Sequence, residues 1–182
     1  MKINTALIMC AGYGTRLLPI TNDKPKPLIQ IKGKTLLSKA IDLIFLIGIK
    51  QIKINSFYLS EQLNDFVRNT KFQKNIEIIN DGEELLNTGG GVKNMLNNFN
   101  DDDFLVLNPD TIWNYEYKET IIKMIDHYYN NKLNNLLLVV NKKYSFDKRL
   151  NGDFEFKNFK LTKENKKNHI YTGLQILNKK LF

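Results

Sequence analysis

The feature that most constrains this chain is an apolar run, Thr5–Cys10, that breaks directly into a loop punctuated by glycine and proline, Ala11 to Pro27. A strand with water on one face alternates polar and apolar residues. TALIMC does not alternate, so both of its faces must be covered. Helices on the two faces of a mostly parallel sheet supply that cover. The downstream pattern agrees. Leu28–Ile31 reads as a short strand closed by the Lys32-Gly33-Lys34 turn. Leu36, Leu37, Ala40, Ile41, Ile44, Phe45 and Ile47 recur at helical spacing, with Gly48 as a stop. Gln51–Asn55, Ile76–Ile79, Phe104–Leu107 and Asn135–Val140 read as further strands. Between them fall a helix capped by Ser60 and running to Val67, and a short helix Val92–Leu96 opened by Gly89–Gly91. A third, Lys118–Tyr129, carries Ile121, Ile122, Ile125 and Tyr129 on one face. The expected fold is therefore α/β, a Rossmann-like doubly wound sheet, mixed but mostly parallel. After Asn141 the rhythm changes. Asp153–Phe156 and Asn158–Leu161 suggest a hairpin and Ile170–Leu177 a last strand, a small antiparallel addition. A single domain, 1–182, is expected, with residues 1–141 as its core and 142–182 as a smaller part.

Composition narrows the function classes. With 182 residues, 42% hydrophobic and 25% charged, the chain can bury a core without disulfides or structural metal. One cysteine, Cys10, excludes a disulfide framework and a cysteine-based zinc site. The N-terminal apolar run, Ala6 to Ala11, is too short for a signal segment or a membrane span. A soluble, cytoplasmic protein with no membrane partner is expected. The net charge of +8 invites a nucleic-acid reading. Only Arg16, Arg68 and Arg149 are arginines, the lysines are spread along the chain, and no aromatic-basic RNA module is visible. No nucleic-acid partner is expected; an RNA-binding protein would show a steep salt slope. Anionic small molecules suit the charge.

In open α/β sheets, ligands bind beyond the carboxyl ends of the strands. Three punctuated segments fall there: Ala11–Lys26, Asp81–Gly91 and Asn108–Asp110. Their convergence is the first functional signal. Glycines in Ala11-Gly12-Tyr13-Gly14-Thr15-Arg16 let backbone N–H groups approach a phosphate. The dinucleotide fingerprint needs a third glycine where Leu17 stands, and Pro19 and Pro25 deny a long helix, which argues against NAD. Gly33-Lys34-Thr35 mimics the end of a P-loop, but Leu28 occupies the first glycine position, so it reads as a corner.

Gly12 to Ile29 reads GYGTRLLPITNDKPKPLI. This resembles the signature of the nucleoside-triphosphate:sugar-1-phosphate nucleotidyltransferases at Gly12, Gly14, Thr15, Arg16, Pro19, Thr21, Pro25, Lys26 and Pro27. The resemblance implies that backbone amides around Ala11, Gly12, Gly14 and Thr15 hold a triphosphate. It also implies that Arg16 clamps the outer phosphates and Lys26 the reacting α-phosphate. The chemistry fits, because phosphoryl-type transfer depends on positioning and charge neutralisation. Thr88, Gly89 and Gly90, within Asn87-Thr88-Gly89-Gly90-Gly91, correspond to the base-contacting loop. That wording is most similar to the N-acetylmuramate 1-phosphate uridylyltransferases of cell-wall recycling, which favours UTP and an N-acetylmuramate 1-phosphate-like sugar. Asp110 matches the family's Mg²⁺ ligand, a hard oxygen donor, although Pro109 departs from the commonest form. Gly152, Asp153, Thr172 and Gly173, with Asp110, resemble the sugar-side segments. Thr111–Tyr115 also resembles the uridylyltransferase group. Asp101-Asp102-Asp103 reads as a solvated turn, and His127 and His169 as bystanders. The implied partners are a nucleoside triphosphate and a sugar 1-phosphate, converted to a nucleotide-sugar and pyrophosphate without a protein nucleophile.

The family's second metal ligand lies in a Trp-x-Asp-x-Gly-Thr motif beyond the Thr-Gly strand. That motif does not occur here, and the only tryptophan is Trp113. The resemblance is therefore to a C-terminally truncated member, with residues 142–182 as an incomplete sugar-binding part. Two other readings follow: an inactive nucleotide-binding remnant, or half of a split enzyme with a complementary C-terminal fragment. A mannose-1-phosphate guanylyltransferase-like protein is a further alternative.

Overall fold

A computed structural model describes residues 2–97, 99–158, 160–163 and 167–182. The elements run β1 (Thr5–Met9), β2 (Gln30–Ile31), β3 (Lys34–Thr35), α1 (Leu36–Leu46), β4 (Gln51–Ser56), α2 (Ser60–Arg68), β5 (Ile76–Asn80) and α3 (Thr88–Met95). They continue β6 (Asp103–Leu107), α4 (Tyr117–Asn130), β7 (Asn135–Asn141), β8 (Glu155–Lys157), β9 (Lys160–Thr162) and β10 (His169–Asn178). Short 3₁₀ turns at Thr15–Leu17 and Lys26–Leu28 interrupt the first loop.

The main sheet has the order β5-β4-β1-β6-β10-β7. β1, β4, β5 and β6 are parallel neighbours. β10 runs antiparallel between β6 and β7. The α/β, mostly parallel architecture expected from the sequence is thus present, with the small hairpins β2–β3 and β8–β9 beside it. Successive strand residues point to opposite faces, and the core shows it. Ala6, Ile8, Leu105 and Leu107 pack with residues of α1, α2 and α4, whereas Leu7, Phe104 and Val106 pack with Val92 and Met95 of α3. β1 is apolar throughout because it is covered twice.

Four local expectations change. Leu59, in a left-handed conformation, caps α2 in place of Ser60. α3 begins at Thr88 with Asn87 as its cap, so the glycines form its first turn. α4 is rotated so that Tyr128 is buried, with Met124 and Ile125. Leu28 closes a 3₁₀ turn, so the short strand starts only at Gln30. The turn between β8 and β9 contains Phe159, which lies outside the described residues. β10 has a larger consequence. Leu174, Ile176 and Leu177 are core residues, so the segment beyond residue 142 completes the main sheet as well as adding to it. No helix among the described residues is long and apolar enough to cross a membrane.

Candidate active site

β1 hydrogen-bonds to β4 on one side and β6 on the other, so the chain leaves their carboxyl ends in opposite directions and a crevice opens between. A cleft of about 440 Å³ occupies it. Its walls are the Met9–Arg16 segment, Lys26, Asn55, the Leu85–Thr88 loop and Asn108–Asp110.

Gly14 explains much of the first wall. Its φ is +68°, and a Cβ there would lie 3.0 Å from Thr21 Cγ2 and 3.1 Å from Lys26 Cβ. Thr21 is fully buried, and its hydroxyl donates to the Gly14 carbonyl at 3.0 Å. Gly14, Thr21 and Lys26 therefore form one packed unit. The Tyr58 hydroxyl fastens the same loop at the Thr21 carbonyl, 2.9 Å away. Pro25 and Pro27 flank Lys26 and hold its backbone, leaving only the four-carbon stem to move. Gly12 differs: a Cβ there would meet nothing within 4 Å. Its bareness serves access to the cleft rather than packing.

Lys26 Nζ lies 2.5 Å from Asp110 Oδ2, across 84 positions of sequence. Asp110 follows the carboxyl end of β6, and its side chain is 38% exposed. A half-exposed carboxylate is a hard donor with oxygen to spare. Among the described residues no group of three or more His, Cys, Asp or Glu is gathered. This set fits Mg²⁺, which takes one or two carboxylates and fills its octahedron with phosphate oxygens and water. It does not fit a transition-metal cage. Cys10 sits in the cleft floor, but burial and then the nearby Asp110 charge push its thiol up, so it stays protonated and poorly nucleophilic.

The Asn87–Gly91 loop is more constrained than its glycines suggest. Asn87 Oδ1 accepts from Gly90 N–H at 3.0 Å, and the Asn87 carbonyl from Gly91 N–H at 2.8 Å. Those two amides are thus spent on capping. Thr88 lines the cleft; Gly89 and Gly90 do not. Gly91 is required by contact, since a Cβ would lie 2.8 Å from Asn55 Nδ2.

Asn55, in the cleft wall, and its partner Asp81 carry no local sequence signal strong enough to single them out. Asn55, buried at the end of β4, accepts from Cys10 N–H at 2.7 Å and donates to Asp81 Oδ2 at 2.9 Å. It thereby ties the root of the glycine loop to the end of β5 and, through Asp81 and Asn94, to the last turn of α3. A polar residue at a buried strand end facing the ligand edge was the available signal. Burial pushes the Asp81 carboxyl up from its ordinary value, against hydrogen bonds from Asn55 and Asn94. The folded chain therefore holds this proton to higher pH than the unfolded chain. Its contribution to stability is fullest below the unfolded pKa of about 3.9 and is lost as pH rises through the folded value. The stability of Asp81→Asn relative to wild type should accordingly improve as pH rises from about 4 toward neutrality. Thermal melts across that range check this; a flat difference would contradict it.

Of the residues expected on the sugar side, Asp110 lines the cleft, and Gly152, Asp153, Thr172 and Gly173 do not. β10 shifts register against β7 between Tyr171 and Gln175. Within that bulge the Thr172 hydroxyl donates to the Leu138 carbonyl at 2.9 Å. Gly173, at φ +85°, offers its carbonyl to Asn108 N–H at 2.7 Å. Asp153 Oδ2 accepts from Tyr171 N–H at 2.8 Å, and Gly152, at φ +81°, makes the preceding corner. Ala11, Gly12, Gly14, Thr15, Arg16, Lys26, Thr88 and Asp110 are brought together; Gly89, Gly90, Gly152, Asp153, Thr172 and Gly173 are not. The acidic run is structural. Thr5 Oγ1 donates to Asp101, and Tyr128 and Asn178 donate to Asp103, at the amino ends of the strands. The lysines are also less evenly spread than expected: residues 142–182 hold eleven Lys and Arg against four Asp and Glu. Among the described residues, none of them lines the cleft.

The α/β sheet thus gathers a glycine loop, a fixed lysine and a strand-end carboxylate around one switch-point crevice. The chain belongs to the nucleotidyl transferase family, whose profile matches residues 5–146. It is 31% identical over 111 residues to an N-acetylmuramate alpha-1-phosphate uridylyltransferase of Caulobacter vibrioides, a match covering 59% of this chain and 46% of that protein. It is 38% identical over 117 residues to the bifunctional protein GlmU of Methanococcus maripaludis, covering 64% and 27% respectively. The matches thus span less than half the length of these curated relatives. A crystal structure of UDP-glucose pyrophosphorylase with UDP-glucose superposes with a TM-score of 0.80 over 99% of this chain and 78% of that one. At 17% identity that likeness concerns the fold.

Proposed function

We propose that the chain transfers a nucleotidyl group from a nucleoside triphosphate, UTP by preference, to a sugar 1-phosphate of the N-acetylmuramate 1-phosphate kind. The carrying observation is the Lys26–Asp110 pair, 2.5 Å apart on the wall of a cleft floored by the glycine loop. One cation and one carboxylate at one point suit a reaction that moves negative charge between oxygens. Open N–H groups around Gly12 would take the triphosphate, and Arg16 the outgoing pyrophosphate through its planar fork. Lys26 would leave Asp110 for the α-phosphate, where its charge offsets what develops at phosphorus. Asp110 would then be free to hold Mg²⁺, which supplies further charge neutralisation when bound. A phosphate oxygen of the sugar 1-phosphate attacks the α-phosphorus and pyrophosphate departs, so no side chain needs to be a nucleophile. The preference for UTP and for this sugar rests on the Thr88-Gly89-Gly90 wording and on the Caulobacter relative.

The test is pyrophosphate release from a panel of nucleoside triphosphates and sugar 1-phosphates, with and without Mg²⁺. UTP with N-acetylmuramate 1-phosphate should lead the panel, and omission of Mg²⁺ should abolish the signal. Silence across the panel with measurable UTP binding would replace this reading by that of a nucleotide-binding remnant.

A further inference from the structure

We propose that Trp113 is a positioning residue for Asp110, its indole N–H fixing the turn that presents the carboxylate. The proposal rests on the role given above to Asp110. Asn108-Pro109-Asp110 leaves the carboxyl end of β6 as a tight turn, and Pro109 brings no N–H to it. Donors to hold the turn must therefore come from outside its middle. Trp113 supplies one. Its side chain is buried, and its Nε1–H donates to the Asn108 carbonyl at 2.8 Å. Its own backbone N–H donates to the Thr111 carbonyl at 2.9 Å, which folds the segment back on itself.

The other side of the turn is held by β10. Asn108 N–H donates to the Gly173 carbonyl at 2.7 Å, and Thr111 Oγ1 to the Thr172 carbonyl at 2.6 Å. Those two carbonyls face the turn because β10 bulges there. Gly173 must be glycine, since a Cβ would lie 2.8 Å from Asn108 Cβ. Finally, the Trp113 ring meets Tyr117 of α4 edge-on, with centroids 4.9 Å apart. The turn is thus anchored to a helix and to a neighbouring strand, and Asp110 stands at its apex. Trp113 sends its single donor to the backbone two residues before the carboxylate.

The experiment compares UTP affinity in EDTA with UTP affinity in Mn²⁺, for wild type, Trp113→Phe, Asp110→Asn and the double variant. Trp113→Phe keeps an aromatic ring and removes the donor together with the pyrrole half of the indole. It should leave UTP affinity in EDTA unchanged and cut the gain from Mn²⁺ about tenfold, as loss of an outer partner of a metal ligand does. Asp110→Asn should abolish the gain, and the double variant should match it. Thr111→Val, which removes a different pin of the same turn, should repeat the Trp113→Phe pattern. An equal loss in EDTA and in Mn²⁺, or a further loss in the double variant, would make Trp113 a packing residue and overturn the proposal. An undiminished Mn²⁺ gain in Asp110→Asn overturns instead the assignment of the metal to Asp110.

Discussion

Lys26→Met is expected to lower turnover by about a thousandfold or more, the scale of removing a preorganised charge at a reacting centre. The fold should survive the change. Lys26 meets Asp110 with side chains 23% and 38% exposed, and partly exposed pairs are worth about 1 kcal/mol or less. The backbone at Lys26 is held by its prolines and by its packing under Gly14, neither of which needs the ammonium. The variant should therefore melt close to wild type. It should also bind Mn²⁺ more tightly in the absence of nucleotide, because the ammonium no longer occupies an oxygen of Asp110. Single-turnover pyrophosphate release, a melting curve and a Mn²⁺ titration measure the three quantities. Near wild-type turnover would remove Lys26 from the mechanism. Unchanged Mn²⁺ affinity would show that the ion pair does not compete with a cation.

Much of the fold was legible because burial on both faces leaves a plain mark. β1 and β6 are apolar without alternation, and α1 repeats its apolar residues at helical spacing. Helix starts were less legible. Ser60 looks like a cap, yet Leu59 takes the left-handed conformation, a choice made by the path of the chain rather than by the residue's own preference. The glycines of α3 looked like free amides, but Asn87 uses two of them. Lys26 was identifiable because its prolines surround it in sequence. Its partner lies 84 positions away, and no local pattern pairs them. Asn55 was missed for the same reason: its partners, Cys10, Asp81 and Gly91, come from three segments that only the sheet order brings together. The position of β10 was the largest gap. A strand inserted antiparallel between β6 and β7 has the same apolar pattern wherever it pairs.

Gly12 and Gly14 should differ in what a side chain costs the fold, although the motif writes them alike. Gly14→Ala places a Cβ at φ +68°, and 3.0 Å from Thr21 Cγ2. The left-handed conformation costs about 1–2 kcal/mol for an L-residue, and overpacking adds about 1–3 kcal/mol. That is a large share of a stability of about 5–15 kcal/mol, so the melting temperature should fall by several degrees. Triphosphate affinity should fall with it, since Thr21 and Lys26 must shift. Gly12→Val meets open space, so its melting temperature should match wild type. Its side chain nevertheless projects where a phosphate must approach the backbone amides, and triphosphate affinity should fall at least about tenfold, the loss of one to two hydrogen bonds to a charged group. Melting curves with calorimetric titration of UTP separate the two cases. If Gly12→Val binds UTP as wild type does, the loop does not cradle the triphosphate, and Lys26 and Asp110 must face a ligand held by other parts of the cleft.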